Sequence, residues 1–100
     1  MGKKNREIKI LQSMLKALVQ DAEQIQERGA GYYSSTPFVE RYNKLLEKAL
    51  MILKDEKSPL LNTFSPLEDT LSVDPADKMK VLGKLIVEAK QLIAYIESLF

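Results

Sequence analysis

The chain contains neither cysteine nor histidine. The absence of cysteine excludes disulfides, thiolate nucleophiles and thiolate metal sites, and it leaves the redox compartment open. The absence of histidine removes the commonest general base and the commonest ligand of transition metals. An enzyme would have to work with Asp, Glu, Lys, Tyr, Ser or Arg alone, and a magnesium site made only of carboxylates is the one form left for it. We expect a protein that is not an enzyme and that binds no cofactor and no metal.

Long hydrophobic runs are also absent, since no stretch approaches the roughly 18 apolar residues that a membrane-spanning helix needs. The N-terminus is charged from Lys3 to Glu7 and continues into an amphipathic stretch, which is not the pattern of a secretory signal. Arg6 stands where a myristoylation motif requires Ser or Thr. The sequence predicts a cytoplasmic protein without a membrane span.

Length and composition indicate one folded domain over residues 1–100. The chain is 45% hydrophobic and 29% charged, close to ordinary globular usage, and this length suffices to bury one core. No stretch alternates strictly between apolar and polar residues, so no strand is predicted. We predict an all-α bundle of three long antiparallel amphipathic helices, with one short helix in the 58–74 connection.

The first helix is predicted over residues 5–28, ended by Gly29-Ala30-Gly31. Apolar residues recur there at spacings of three and four, and a second file widens the stripe to the breadth of a helix that faces a bundle core. The main file comprises Ile8, Leu11, Leu15, Leu18, Ala22 and Ile25, and the second file comprises Ile10, Met14 and Ala17.

The second helix is predicted over residues 37–55, because Thr36 can cap its free amides and Pro37 suits its first position. Prolines 59 and 66 interrupt the following stretch, which is nevertheless too apolar for a solvated linker. A capping box over residues 65–68 predicts a short helix at 66–72.

The third long helix is predicted over residues 75–99, with its start signal at Asp74-Pro75. Two apolar files run along it, and Gly83 beside them offers room for a neighbouring helix. We expect this helix either to be the most buried of the three or to pair with a second copy of the chain. One file comprises Met79, Leu82, Ile86, Ala89, Ile93, Ile96 and Phe100, and the other comprises Val81, Leu85, Leu92 and Leu99.

The charges suggest a basic end of the bundle. Short connections would make the first and third helices run in one direction, so that their two basic starts meet beside the acidic residues of 68–77. The favoured interpretation is that the basic helix starts and the acidic residues of 68–77 neutralise each other's charge. A patch that binds phosphate or nucleic acid is the alternative, and the net charge of +1 argues against it. The basic residues are Lys3, Lys4, Arg6, Lys9, Lys78, Lys80 and Lys84.

The same arrangement gathers most aromatic residues at the opposite end. Such a cluster either closes the bundle, with tyrosine hydroxyls reaching water, or forms a docking surface for a protein partner. Tyr32 and Tyr33 are expected to be the most exposed, because glycines flank their loop. The candidate docking residues are Tyr32, Tyr33, Phe38, Tyr42, Tyr95 and Phe100.

Catalytic and ligand-binding motifs are not found. Glu23 and Glu27 lie four apart on a polar helix face, and Asp74 and Asp77 suit caps better than magnesium ligands. We predict a non-catalytic helical module for protein–protein interaction, or a small adaptor, which binds a protein partner or a second copy through the third long helix. The alternative function is a nucleic-acid-associated accessory protein that uses the basic end.

Overall fold

A computed structural model of the chain describes residues 3–28, 35–55 and 59–99. Within these ranges the three α-helices pack against each other in a body of 45 × 22 × 18 Å, and no strand occurs. The predicted all-α bundle with a short helix in the connection is confirmed. In chain order the elements are α1 (Lys3–Arg28), α2 (Ser35–Ile52), a 3-10 helix (Pro59–Thr63) and α3 (Pro75–Glu97).

The core contains the main apolar file of α1 from Ile8 to Ala22 together with buried residues of α2 and α3. Leu15 of α1, Leu46 of α2 and Leu85 of α3 are fully buried. Both apolar files of α3 contribute to this core, which explains why that helix is apolar on more than one side. Its buried residues are Leu82, Leu85, Ile86, Ala89, Leu92, Ile93 and Ile96.

Helix α3 begins where the sequence predicted. Asp74 has extended backbone angles (φ −70°, ψ 122°), and its carboxylate accepts a hydrogen bond of 2.9 Å from the Ala76 N–H. Pro75 occupies the first helical turn, where a missing N–H removes no helical bond. The neighbouring residues Asp74 and Pro75 were therefore sufficient to predict where α3 begins.

The short helix of the connection lies at Pro59–Thr63, and residues 64–74 are not helical. The helix predicted at 66–72 does not form because a residue distant in sequence binds the backbone of Leu67. The Leu67 N–H donates to Asn43 Oδ1 at 2.8 Å, and Asn43 Nδ2 donates to the Leu67 carbonyl at 2.9 Å. The capping box at residues 65–68 is overridden by this tertiary contact.

The direction of α3 also differs from the prediction. The connection passes back along α2, contacting first Asn43 and then Thr36, whose hydroxyl donates to Asp69. Helix α3 therefore starts near the start of α2 and runs parallel to it. It runs antiparallel to α1, as two interhelical ion pairs show: Lys16 with Glu97 at 3.2 Å, and Glu23 with Lys90 at 2.9 Å.

Candidate functional site

The structure does not bring the predicted basic residues together. Because α1 and α3 are antiparallel and Glu97 pairs with Lys16, Arg6 and Lys9 lie beyond the end of α3, whereas Lys80 and Lys84 lie at or beyond the end of α1. At 1.5 Å per residue, about 30–40 Å of bundle separates the two groups. The expected basic end, with Lys3 and Lys4 also in α1 and Lys78 in α3, assumed the opposite direction for α3.

The predicted aromatic group is divided as well. Tyr32, Tyr33 and Phe100 lie outside the described residues. Phe38 is half-buried near the start of α2, whereas Tyr95 lies near the end of α3, where its ring packs edge-on against Phe64 at a centroid distance of 6.2 Å. Phe64 was the aromatic residue left out of the predicted group, and the parallel course of α2 and α3 accounts for its contact.

Tyr42 is fully buried in the core and is not available to a partner at the surface. Its burial, together with the charge of Glu88 on α3, raises the pKa of the Tyr42 hydroxyl above its usual value. The hydroxyls of Tyr42 and Tyr95 have no hydrogen-bond partner among the described residues. Both rings therefore act here as parts of the core rather than as a docking surface.

A polar cluster fastens the connection to the start of α2. The Thr36 hydroxyl donates to Asp69 Oδ2 at 2.6 Å, and the Thr70 N–H donates to Asp69 Oδ1 at 2.8 Å. Burial acts to raise the pKa of Asp69, but the bonds from Thr36, Thr70 and Ser35 and the charge of Lys78 together lower that pKa. The ionised carboxylate thus helps to hold the connection in place.

In the described part of the chain, contacts cover or bridge two of the three grooves between the helices. The connection covers the groove between α2 and α3, where Leu61 and Leu67 are buried. The ion pairs Lys16–Glu97 and Glu23–Lys90 bridge α1 and α3. These contacts leave the groove between α1 and α2 as the place to seek an unoccupied surface.

The groove between α1 and α2, hereafter the α1–α2 groove, has a volume of about 570 Å³. It lies between the start of α1 and the end of α2, as expected for antiparallel neighbours. Helix α1 contributes Glu7, Ile10, Leu11 and Met14, and helix α2 contributes Arg41, Lys44, Leu45, Lys48, Met51 and Ile52.

Exposed apolar side chains form a continuous part of this groove. Ile10, Met14 and Met51 are 52%, 42% and 59% exposed. Ile10 and Met14 belong to the second file of α1, which the sequence analysis placed in the core. That file faces the groove, so its apolar character is not explained by packing within the described residues.

The borders of the groove carry charges of both signs, with cations in excess. Arg41, Lys44 and Lys48 are exposed on α2, and Glu7 is exposed on α1. The three cations are spaced by three and four residues, so they follow one face of the helix. They form no ion pair within residues 3–28, 35–55 and 59–99.

The described residues contain no group of three or more acidic side chains positioned to hold a metal ion. No helix described by the structure is both long and apolar enough to cross a membrane. The lining of the groove itself offers aliphatic surface that a ligand can bury and an excess of cations that attracts negative charge.

No family model, curated protein or solved structure was found to match this chain. The functional assignment accordingly depends on the geometry of the groove and on its charges.

Proposed function

We propose that the chain is a non-catalytic interaction module that binds a protein partner through the α1–α2 groove. The observation that carries this proposal is the exposure of Ile10, Met14 and Met51 side by side in a groove between two rigid helices. Exposed apolar groups that are clustered, rather than scattered, are typical of interaction sites. Burial of a complete aliphatic side chain contributes about 1.5–3 kcal/mol, so covering these three half-exposed side chains would supply part of the binding free energy.

The shape of the groove favours a helical segment over a small molecule. Small-molecule sites enclose most of the ligand surface and direct several polar groups at it. Here Ile10, Met14 and Met51 are about half exposed and the groove is open along its length, so a small ligand would remain partly in solvent. A groove between two antiparallel helices is the surface against which a further amphipathic helix packs in helical bundles and in helix-in-groove complexes.

The apolar files of the third long helix predict self-association through that helix. Most members of the two files on α3, Leu85 and Leu92 among them, are buried in the core, which supplies another reason for their apolar character. Val87, which is 58% exposed, is the large aliphatic residue that α3 leaves at the surface. These observations favour the α1–α2 groove over α3 as the binding surface.

The alternative function in nucleic-acid binding receives less support. The cations on which it depended are distributed over both ends of the bundle. Proteins that bind single strands commonly stack bases on aromatic side chains, whereas the described groove lining contains aliphatic and charged residues and no aromatic ring. Retention on nucleic acid at low salt remains the observation that would revive this alternative.

Selection from a library of displayed helical peptides tests the proposal. The wild-type protein is expected to enrich peptides whose binding is lost in the double variant Ile10→Glu/Met51→Glu. The substituted side chains are exposed, so the fold should tolerate them, and the thermal midpoint of each variant checks this.

Val87→Glu is the control, because it places a carboxylate on a similarly exposed aliphatic residue of α3, and each single groove variant, Ile10→Glu or Met51→Glu, matches its change of charge. Val87→Glu should retain the selected peptides. The proposal is wrong if no helical peptide is enriched, or if the enriched peptides bind the groove variant and the wild-type protein equally well.

A further inference from the structure

We infer that the partner segment of the α1–α2 groove is an acidic amphipathic helix. This inference rests on the proposed function and adds the chemical class of the partner. It follows from an imbalance at the groove borders, where three cations on α2 face one anion on α1. A helix laid along the groove would bring its flanking residues close to these charges.

The cations are arranged to contact one helix along its length. Arg41, Lys44 and Lys48 follow one border over nearly two helical turns, and none forms an ion pair in the described part of the chain. Acidic residues at spacings of three and four on one edge of the partner would meet all three. Such pairs at a solvated border act mainly on the association rate and on the choice of partner.

The aliphatic part of the groove defines the opposite side of the partner. Ile10 and Met14 on α1 and Met51 on α2 would contact apolar residues spaced i, i+3, i+4 and i+7. The lining on α2 extends from Arg41 to Ile52, a length of about 17 Å, which corresponds to roughly three helical turns. The groove should therefore recognise a partner helix whose apolar stripe is bordered by Glu or Asp on the side that faces α2.

A second copy of the chain fits this groove less well. In a two-fold symmetric pair the same surface faces itself, so each copy would bring its own Arg41, Lys44 and Lys48 into the common contact. One Glu7 per copy cannot balance three cations. Like charges brought together at an interface oppose association, and an acidic partner avoids this repulsion.

The charges of the selected helical peptides provide the test. Peptides enriched by the wild-type protein should carry Glu or Asp beside their apolar stripe. By fluorescence anisotropy at low salt, such a peptide should bind at least about tenfold more tightly than its Lys-substituted version, and this difference should shrink at about 0.5 M salt. The double variant Arg41→Glu/Lys48→Glu should invert the preference.

Lys80→Glu/Lys84→Glu is the matched control, with the same change of net charge at exposed residues of α3. It should retain the preference for the acidic peptide. If the double reversal on α2 lowers the thermal midpoint, Arg41→Gln/Lys48→Gln replaces it and should abolish the preference rather than invert it.

The experiments distinguish a failure of the acidic-partner inference from a failure of the proposed function. Groove-dependent peptides without excess acidic residues would overturn the acidic partner and leave the proposed function intact, whereas the absence of any groove-dependent peptide would overturn both. The acidic partner is also wrong if the wild-type protein binds an oligonucleotide more tightly than the peptide and Arg41→Glu/Lys48→Glu abolishes that oligonucleotide binding. Sedimentation equilibrium that shows a dimer, lost in Ile10→Glu/Met51→Glu, would assign the groove to a second copy.

Discussion

The side chain of Asn43 on α2 pairs with both backbone groups of Leu67, 24 residues later in the chain. Its carboxamide accepts from the Leu67 N–H and donates to the Leu67 carbonyl, as a neighbouring strand would. The two bonds are partly buried, and they hold the connection against α2 where a local helix would otherwise be expected.

Replacement of Asn43 by Ala should lower the free energy of unfolding by about 1–3 kcal/mol, because it leaves two partly buried backbone groups without partners. Urea unfolding at neutral pH measures this change. Asn62→Ala is the matched control, since Asn62 is exposed in the 3-10 helix, and it should change stability by no more than about 0.5 kcal/mol. Equal effects of the two substitutions would show that Asn43 does not hold the connection.

The hydrogen bonds around Asp69 predict a loss of stability in acid. The pKa of Asp69 is lower in the folded chain than its ordinary value of 3.8. Its contribution is therefore fully present above that ordinary value and is lost as the pH falls through the lowered folded value. Asp69→Asn should make the midpoint of urea unfolding less sensitive to pH in this range.

Two variants check the origin of this pH dependence. Thr36→Val removes one donor to Asp69 and should also reduce the sensitivity to acid. Asp21→Asn removes an exposed carboxylate of α1 and should retain the wild-type sensitivity. An acid profile that is unchanged in Asp69→Asn would contradict the role assigned to this carboxylate.

The hydroxyl of Tyr42 predicts a stability change at high pH. Its pKa is raised in the folded chain, so its neutral form is favoured by folding and stability declines as the pH rises above the usual value of 10.0. Tyr42→Phe should lack this decline. At neutral pH the variant should be as stable as wild type or up to about 1 kcal/mol more stable, because a buried hydroxyl without a partner opposes folding.

Guanidinium unfolding at neutral pH and above pH 10 measures both effects. Tyr42→Ala is the comparison that removes the ring, and it should cost about 3–5 kcal/mol because it leaves a cavity in the core. A loss of more than about 1 kcal/mol in Tyr42→Phe would show that the hydroxyl does have a stabilising partner.

Gly83 is expected to be replaceable, although the sequence suggested that it permits close approach of a helix. A Cβ atom built there would meet Gln26 Nε2 at 3.4 Å, which is the end of a flexible, exposed side chain of α1. Gly83→Ala should raise stability by about 0.5–1 kcal/mol, because glycine disfavours a helix interior. Thermal unfolding measures this, and Ala94→Gly at an exposed position of α3 should give the opposite change.

Much of the fold could be predicted from local patterns. The spacing of apolar residues predicted the three long helices, and Asp74 and Pro75 predicted the start of α3 because capping depends on neighbouring residues. The helix at 66–72 was wrong because Asn43 competes for the backbone of Leu67, and no local signal reports a partner 24 residues away. The direction of α3 could not be predicted for the same reason, because it follows from the path of the connection back along α2.

The candidate groove could be predicted only in part. The second apolar file on α1 was visible, but the spacing alone does not tell whether Ile10 and Met14 face a core or an unoccupied groove. That distinction depends on where the connection lies, and it covers α2 and α3 rather than α1 and α2. The cations Arg41, Lys44 and Lys48 acquired significance only once the structure placed them beside those residues.

The most direct test of the account is an NMR titration of methionine methyl groups with an acidic helical peptide from the selection. Met14 and Met51 line the groove, while Met79 is half-buried on α3 and serves as the internal reference. We expect the methyl resonances of Met14 and Met51 to shift with the peptide and that of Met79 to stay in place. Unchanged Met14 and Met51 resonances at saturating peptide, or an equal shift of Met79, would contradict binding in the α1–α2 groove.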